Sequence, residues 1–394
     1  MTRELWDLFE VPGVSLGTSW YAADPVTHAE ITGSAGSFWR TRANIAEALR
    51  CQIAVRAGIV EVITGQDAAA AREELRALGV TAFSADHARG VGRAARGTPG
   101  DRPTGLPTSS STLPGLIVQL ARHGYLNDGT DVLDVGTGSG YGCAVLAARL
   151  GERHVTSVDV DKYLATAAAD RLASIGLHPT VVAADATGSL PGTYDRIIAT
   201  VAVRPVPASW LSALRPGGRL VTTITGTALI LTADKTEDGG ATGRIEWDRA
   251  GFMPTRTGND YPLLLRKLHE TAYDSDGDQI TRGRYPVINV TEAWETWSML
   301  GVIAPGLEHH YRQDGPTQTA WILHADGSWA RATSANGEAP IVHQSGPRRL
   351  WDLLDDIRDT WLCDGSLPLY GATATISPDG ATHLQRGRWQ AAMT

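Results

Sequence analysis

Between Val132 and Thr223, short apolar runs recur at regular intervals, each ending in polar or glycine-rich sequence. Val132–Val135, His154–Val158, Thr180–Ala184, Arg196–Thr200 and Arg219–Thr223 read as strands. Runs of this length, rich in β-branched residues and bounded by turn formers, suit a sheet buried on both faces. Helical spacing fills the gaps: Tyr163–Ile175 gathers Ala and Leu on one face, and Leu116–His123 does the same ahead of the first strand. Strict alternation of strand and helix predicts a parallel, doubly wound α/β sheet. Two further runs, Ala228–Thr232 and Gly243–Asp248, predict an antiparallel pair at one end of it.

From about Tyr261 the texture changes. Seven of the 12 Trp residues fall between Trp294 and Trp389, which predicts a separate aromatic-rich core. Trp321–Trp329 reads as a hairpin around Asp326-Gly327, and Thr373–Leu384 as another around Pro378-Asp379-Gly380. Leu350, Trp351, Leu353, Leu354, Ile357 and Trp361 have helical spacing, with Asp352, Asp355, Asp356 and Asp359 as a solvated face. Trp294 and Trp297, also at helical spacing, read as core. The segment Gly97–Ser111, rich in Gly, Pro, Ser and Thr, reads as a linker or ordered loop.

Composition narrows the class. A chain of 394 residues should hold two or three domains. With 42% hydrophobic and 20% charged residues it should fold, and a net charge of -8 argues against a nucleic-acid partner. Cys51, Cys143 and Cys363 are few and far apart, as in a reducing compartment. Met1–Trp6 has no apolar signal core, and no apolar run approaches the roughly 20 residues that span a bilayer, so no membrane partner is expected and the cytoplasm is the default location. His309-His310 reads as a loop, with no Cys or His spacing for a metal.

The chemistry concentrates in Val132–Gly142, where an apolar run ends in Asp134 and breaks into Gly136-Thr137-Gly138-Ser139-Gly140-Tyr141. Glycines permit positive φ and close approach of a ligand, and the next helix presents free N–H groups. Such a turn suits NAD, FAD or S-adenosylmethionine. The acids discriminate. Asp159, followed by Val160, ends the second strand where a carboxylate accepts both ribose hydroxyls, and Asp185, followed by Ala186, ends the third where it can meet an adenine amino group. Asp134 beside the loop favours a cationic methionine moiety over a phosphate. A dehydrogenase leaves the Pro216-Gly217-Gly218 turn without a role.

This ordered set resembles the class I S-adenosylmethionine-dependent methyltransferases, Rossmann-like α/β enzymes. Within them, Thr112-Leu113-Pro114 at its distance before the glycine loop, Asp195–Val203, Pro205, Pro207 and Gly251-Phe252-Met253-Pro254 resemble the protein-L-isoaspartate O-methyltransferase family. The resemblance implies a cofactor site of Asp134, Gly136, Thr137, Gly138, Ser139, Gly140, Tyr141, Asp159, Val160, Asp185, Ala186 and Thr200. It places the acceptor's hydroxyl contacts at Ser110, Ser111 and Thr112, and acceptor peptide at Val201, Ala202, Val203, Phe252 and Met253. A carboxylate is already nucleophilic, so such a site has to align an oxygen with the sulfonium methyl and exclude water. The alternative reading of the Ser/Thr run is an N-terminal helix signal or a loop.

The long C-terminal region departs from the repair enzymes. With Asp326–Trp329 and Gly346–Asp352 it resembles methyltransferases associated with lanthipeptides, graspetides and imiditides, which esterify an Asp of a precursor peptide so that the ester closes to an aspartimide. That resemblance implies S-adenosylmethionine as cofactor, S-adenosylhomocysteine as product, and a partner peptide, itself modified beforehand or not. Repair of isoaspartyl residues and a decayed peptide-binding accessory role are the alternatives. Tyr21–Ser37, Arg40–Ile45, Gly58–Ile63, Leu78–Val80 and Asp86–Arg93 resemble later parts of a radical S-adenosylmethionine barrel without its cluster cysteines. The expected organisation is an N-terminal α/β extension over residues 1–97, a methyltransferase core over 98–262 and a C-terminal α+β domain over 263–394.

Overall fold

The computed structural model describes residues 15–32, 36–61, 66–87, 112–255, 265–290 and 292–394. The chain divides into two compact units, Met1–Ser110 and Ser111–Thr394. In the first, β1 (Ser15–Trp20), β2 (Ala54–Glu61) and β3 (Ala82–His87) form a parallel sheet in that order. The crossovers contain α1 (Pro25–Thr32), α2 (Ser37–Arg50) and α3 (Ala68–Ala77). Trp20, Phe38, Ile45, Ile59 and Leu75 close its core. This is the α/β texture expected of the extension; Ala88–Arg93 of the resemblance and the Gly97–Ser111 linker lie outside the described residues.

The second unit opens with α4 (Pro114–His123), β4 (Val132–Val135), α5 (Tyr141–Leu150), β5 (Val155–Asp159), α6 (Lys162–Ser174) and β6 (Thr180–Ala183). β7 (Tyr194–Val203), α7 (Ala208–Ala213), β8 (Leu214–Ile224), β9 (Leu229–Lys235) and β10 (Ala241–Arg249) follow. Strands β6-β5-β4-β7-β8 are parallel neighbours, so the chain reverses direction across the sheet beside β4. In open α/β sheets ligands bind at the strand carboxyl ends near such a switch point. All four residues of β4 are buried, as expected for a central strand. The predicted antiparallel pair is present as β9 and β10.

The C-terminal region contributes α8 (Arg266–Asp274), β11 (Gln279–Arg282), α9 (Trp294–Ile303), β12 (Leu307–Asp314), β13 (Thr317–His324), β14 (Trp329–Ala335) and β15 (Ile341–Ser345). Its last elements are α10 (Leu350–Cys363), β16 (Thr373–Ile376), β17 (Thr382–Arg386) and β18 (Trp389–Met393). β11-β15-β14-β13-β12 is a separate antiparallel sheet that contains the hairpin predicted around Asp326-Gly327.

The aromatic core is separate only in part: Trp321 and Trp329 cluster with Ala272 and Leu323, but the rest joins the central core. Strands β16, β17 and β18 continue the central sheet from β10, giving ten strands, and Trp351 and Trp389 share one apolar cluster with Leu133, Trp210 and Leu220. The exposed edge of β10 offers unpaired backbone groups, and β16 satisfies them. The acids of α10 are not a uniformly solvated face either. Asp355 is 3% exposed, accepts the backbone N–H of Arg284 at 2.8 Å and faces the guanidinium of Arg358. No helix among the described residues is long and apolar enough to cross a membrane.

Candidate active site

The glycine loop joins β4 to α5 at the carboxyl end of the sheet. Gly136, Gly138 and Gly140 all have positive φ, at 94°, 50° and 85°. A Cβ on Gly136 would stand 2.9 Å from Cγ1 of Val201 and 3.0 Å from Oγ1 of Thr200, so the loop lies directly on the end of β7. Thr200 fastens it there, donating its hydroxyl to the carbonyl of Gly136 at 3.0 Å. On the other side, the N–H groups of Gly136 and Thr137 both donate to the carbonyl of Val158.

Asp159 reaches into this loop. Its Oδ2 accepts the N–H of Gly138 at 2.9 Å and its Oδ1 that of Asp161 at 2.9 Å. Val160, the next residue, and Tyr141, the first residue of α5, are each 40% exposed. At the end of β6, Oδ1 of Asp185 accepts both the N–H and the hydroxyl of Thr187, and Trp210 pins the turn by donating its indole N–H to the carbonyl of Ala186 at 2.7 Å. The guanidinium of Arg171 holds the carbonyl of Ser139 at 3.3 Å.

Asp134 occupies a different place from the one its sequence position suggests. It is 2% exposed and lies beneath the loop, where Ser157 donates to its Oδ2 at 2.7 Å and shares a 2.6 Å hydrogen bond with Thr137. Burial pushes its carboxyl up to about 7, the Ser157 hydroxyl opposes the rise, and the negative charge of Asp159 adds to it. Sequence reading missed Ser157, one of two hydroxyl residues inside β5.

The acceptor side is assembled from segments distant in sequence. Val201, Ala202 and Val203, beyond the strand read over Arg196–Thr200, are the last residues of β7. The ladder with β8 runs on through them, pairing Ala202 with Thr223 and Val203 with Ile224, and Ala202 also donates to the carbonyl of Met253 at 2.8 Å and accepts the N–H of Thr255 at 2.8 Å. Ala202 and Val203 are 1% and 2% exposed, so Val201 is the one of the three with side-chain surface here. Phe252 packs against the apolar cluster between α4, α5 and the sheet. The first turn of α4 meets the first turn of α5, directly after the glycine loop, since a Cβ on Gly142 would lie 3.5 Å from Cδ1 of Ile117. Leu113, not Thr112, is the residue that caps α4, and Pro114 takes the first helical position. The hydroxyl of Thr112 is therefore not the helix cap that its sequence context allows. Ser110 and Ser111 lie outside the described residues.

Residues 104–255 match the model of the Protein-L-isoaspartate(D-aspartate) O-methyltransferase family. A protein-L-isoaspartate O-methyltransferase of Bradyrhizobium sp. (strain ORS 278) is 36% identical over 161 residues, covering 39% of this chain and 71% of that protein. The chain belongs to the protein-L-isoaspartate O-methyltransferase family. Another protein-L-isoaspartate O-methyltransferase, from Ignicoccus hospitalis, is 38% identical over 112 residues, 27% of this chain; the match spans about half of that relative, 53% of its length. A solved protein-L-isoaspartate O-methyltransferase structure superposes with a TM-score of 0.40 at 18% identity, over 70% of this chain and 82% of its own. The family match stops at Thr255, so the C-terminal strands that extend the sheet lie beyond it.

Proposed function

We propose that this chain is an S-adenosylmethionine-dependent O-methyltransferase of peptide carboxyl groups, with L-isoaspartyl residues of polypeptides as acceptors. The observation that carries it is the joint between Asp159 and the N–H of Gly138, which sets an acid at the carboxyl end of β5 against a positive-φ glycine loop. The donor set suits this cofactor. Asp159 and Asp185 are acceptors for ribose hydroxyls and an amino group, Val160 and Tyr141 offer exposed apolar surface for a purine, and acids in place of a phosphate cradle favour a cation. When bound, the cofactor supplies an electrophilic methyl on a sulfonium. The chain's part is positioning: Thr112 orients the carboxylate oxygen, while Val201 and the Met253 segment bound to Ala202 hold the peptide and limit water.

A second acceptor is an Asp side chain in a precursor peptide. Its carboxylate oxygen takes the methyl, the following backbone nitrogen attacks the ester carbonyl, and methanol leaves to give an aspartimide. What favours it is the ten-stranded sheet itself, because β16–β18 build a C-terminal region onto the core that family membership does not require. Incubation with S-adenosylmethionine and an isoaspartyl peptide, followed by mass, tests the first reading; methyl gain is expected, and its absence sinks it. A methyl gain followed by loss of methanol on an Asp-containing peptide, with no turnover of the isoaspartyl one, would replace it by the second.

A further inference from the structure

The sheet face that carries α4 and α5 holds a cavity of about 700 Å³ between these helices and β10. Its apolar wall is Val118, Leu126, Val145 and Leu146, and its polar side includes Arg122, Arg149 and Arg244. The acids inside are already engaged. Glu246 accepts from Thr232 at 2.6 Å and pairs with Arg219 and Arg244, and Asp248 bonds His123 at 2.8 Å. Arg149 pairs with Asp128, whereas Arg122 makes no ion pair among the described residues.

Tyr125 lines the cavity in a conformation that bulky residues rarely adopt, with φ 49°. The site after a helix usually takes a glycine for this purpose. Here the glycine is one residue earlier, where a Cβ on Gly124 would meet Ile198 at 3.1 Å and the Ala121 carbonyl at 3.2 Å. The strained tyrosine is 56% exposed, with the Arg219 guanidinium 4.6 Å from its ring centre. Strain held at an exposed aromatic beside an arginine-lined hollow points to a ligand contact.

We infer that this cavity docks an acidic and aliphatic segment of the polypeptide substrate, a reading that rests on the methyltransferase proposed above. The carboxylate meets Arg122 and the aliphatic side chain meets Val118 and Leu146. α4 connects cavity to site: Ile117 in its first turn borders the start of α5, directly after the glycine loop, and Arg122 and His123 in its last turn line the cavity. A helix of 10 residues is about 15 Å long, a span covered by about five residues of extended peptide.

The test uses the full chain. A dye-labelled Leu-Glu-Leu-Glu peptide is titrated by fluorescence anisotropy, and an isoaspartyl hexapeptide is assayed with and without this extension about five residues from the target on either side. The extension should lower KM about 10-fold at unchanged kcat. Arg122→Ala and Val118→Asp, both at exposed positions, should erase that gain and leave the short peptide's kinetics unchanged. An extension with Lys for Glu should give no gain. Equal KM values for short and extended peptides, or a gain that survives both variants, would overturn the inference. If the short peptide is not turned over, the methyltransferase reading fails, and anisotropy still decides the cavity: binding to the wild type but not to Arg122→Ala supports it, and no binding overturns it. Decanoate binding without peptide binding would also overturn it, in favour of a small amphiphilic acid.

Discussion

The backbone N–H of Gly138 donates to the carboxylate of Asp159 at 2.9 Å, joining the glycine loop after β4 to the end of β5. Gly138 has φ 50°, which a β-branched residue does not tolerate, so the bond and the loop path depend on the same glycine. Gly138→Val should weaken S-adenosylhomocysteine binding by about 100-fold, ~2.7 kcal/mol. Isothermal titration reads it, and affinity within a few-fold of wild type would show that the loop does not hold the cofactor.

Asp134 gives a pH signature. Its carboxyl is raised to about 7 in the folded chain, chiefly by burial, above the ordinary carboxylate value near 3.8. The folded state binds the proton more tightly than the unfolded one, so stability is retained below about pH 4 and falls as pH rises towards 7. Asp134→Asn removes this loss. Relative to wild type, the variant should gain on the order of 2–4 kcal/mol between pH 4 and pH 8. Urea denaturation without ligand measures it, and a pH-independent difference would place Asp134 in a polar environment.

Thr112 precedes the cap of α4 and its hydroxyl is not the capping group. If it orients the acceptor carboxylate, Thr112→Ala should lower kcat/KM about 10- to 100-fold, the worth of a hydrogen bond to a charged group. Affinity for S-adenosylhomocysteine should stay the same; a parallel loss of affinity would move Thr112 to the cofactor.

Glu246 is 2% exposed and joins Thr232, Arg219 and Arg244. Burial disfavours its charge, but the Thr232 and Arg244 hydrogen bonds hold its carboxyl below the usual range. Glu246→Ala removes the hydrogen bonds of Thr232 and Arg244 and leaves Arg219, 7% exposed, with Asp234 at 2.6 Å as its carboxylate partner, so it should cost about 1.5–3 kcal/mol. Chemical denaturation checks it, and a cost under ~1 kcal/mol would mean that the pair is solvated.

Gly301 in α9 packs on the β8–β9 turn, where a Cβ would stand 2.9 Å from the carbonyl of Gly226. Gly301→Leu should destabilise the second unit by about 1–3 kcal/mol through overpacking. A single thermal transition shifted downward is expected; a separate early transition for the C-terminal region would show that it does not unfold with the core.

Much of the site was legible along the chain. The strands around Asp134, Asp159 and Asp185 follow from periodicity, and the loop from glycines at positions that prove to have positive φ. Val201–Val203 lie past the strand read over Arg196–Thr200 and yet are strand, because β8 pairs Ala202 and Val203 with Thr223 and Ile224, and Met253–Thr255, fifty residues away, bonds Ala202. Asp355 reads as solvated in its own helix; Arg358, three residues on in that helix, and the backbone N–H of Arg284, brought in from another segment, make its burial tolerable.

Local backbone preference and hydrophobic period belong to neighbouring residues, so the alternating sheet, the glycine loop and the resemblance to a methyltransferase family could be read from order alone. Burial and strand pairing do not. Asp134 and Asp159 look alike as acids at strand ends, yet one is sealed beneath the loop by Ser157 and the other bonds the loop itself. Folding likewise joined the C-terminal strands to the core, because β10 had an edge to cover and β16, far along the chain, arrived with matching backbone groups.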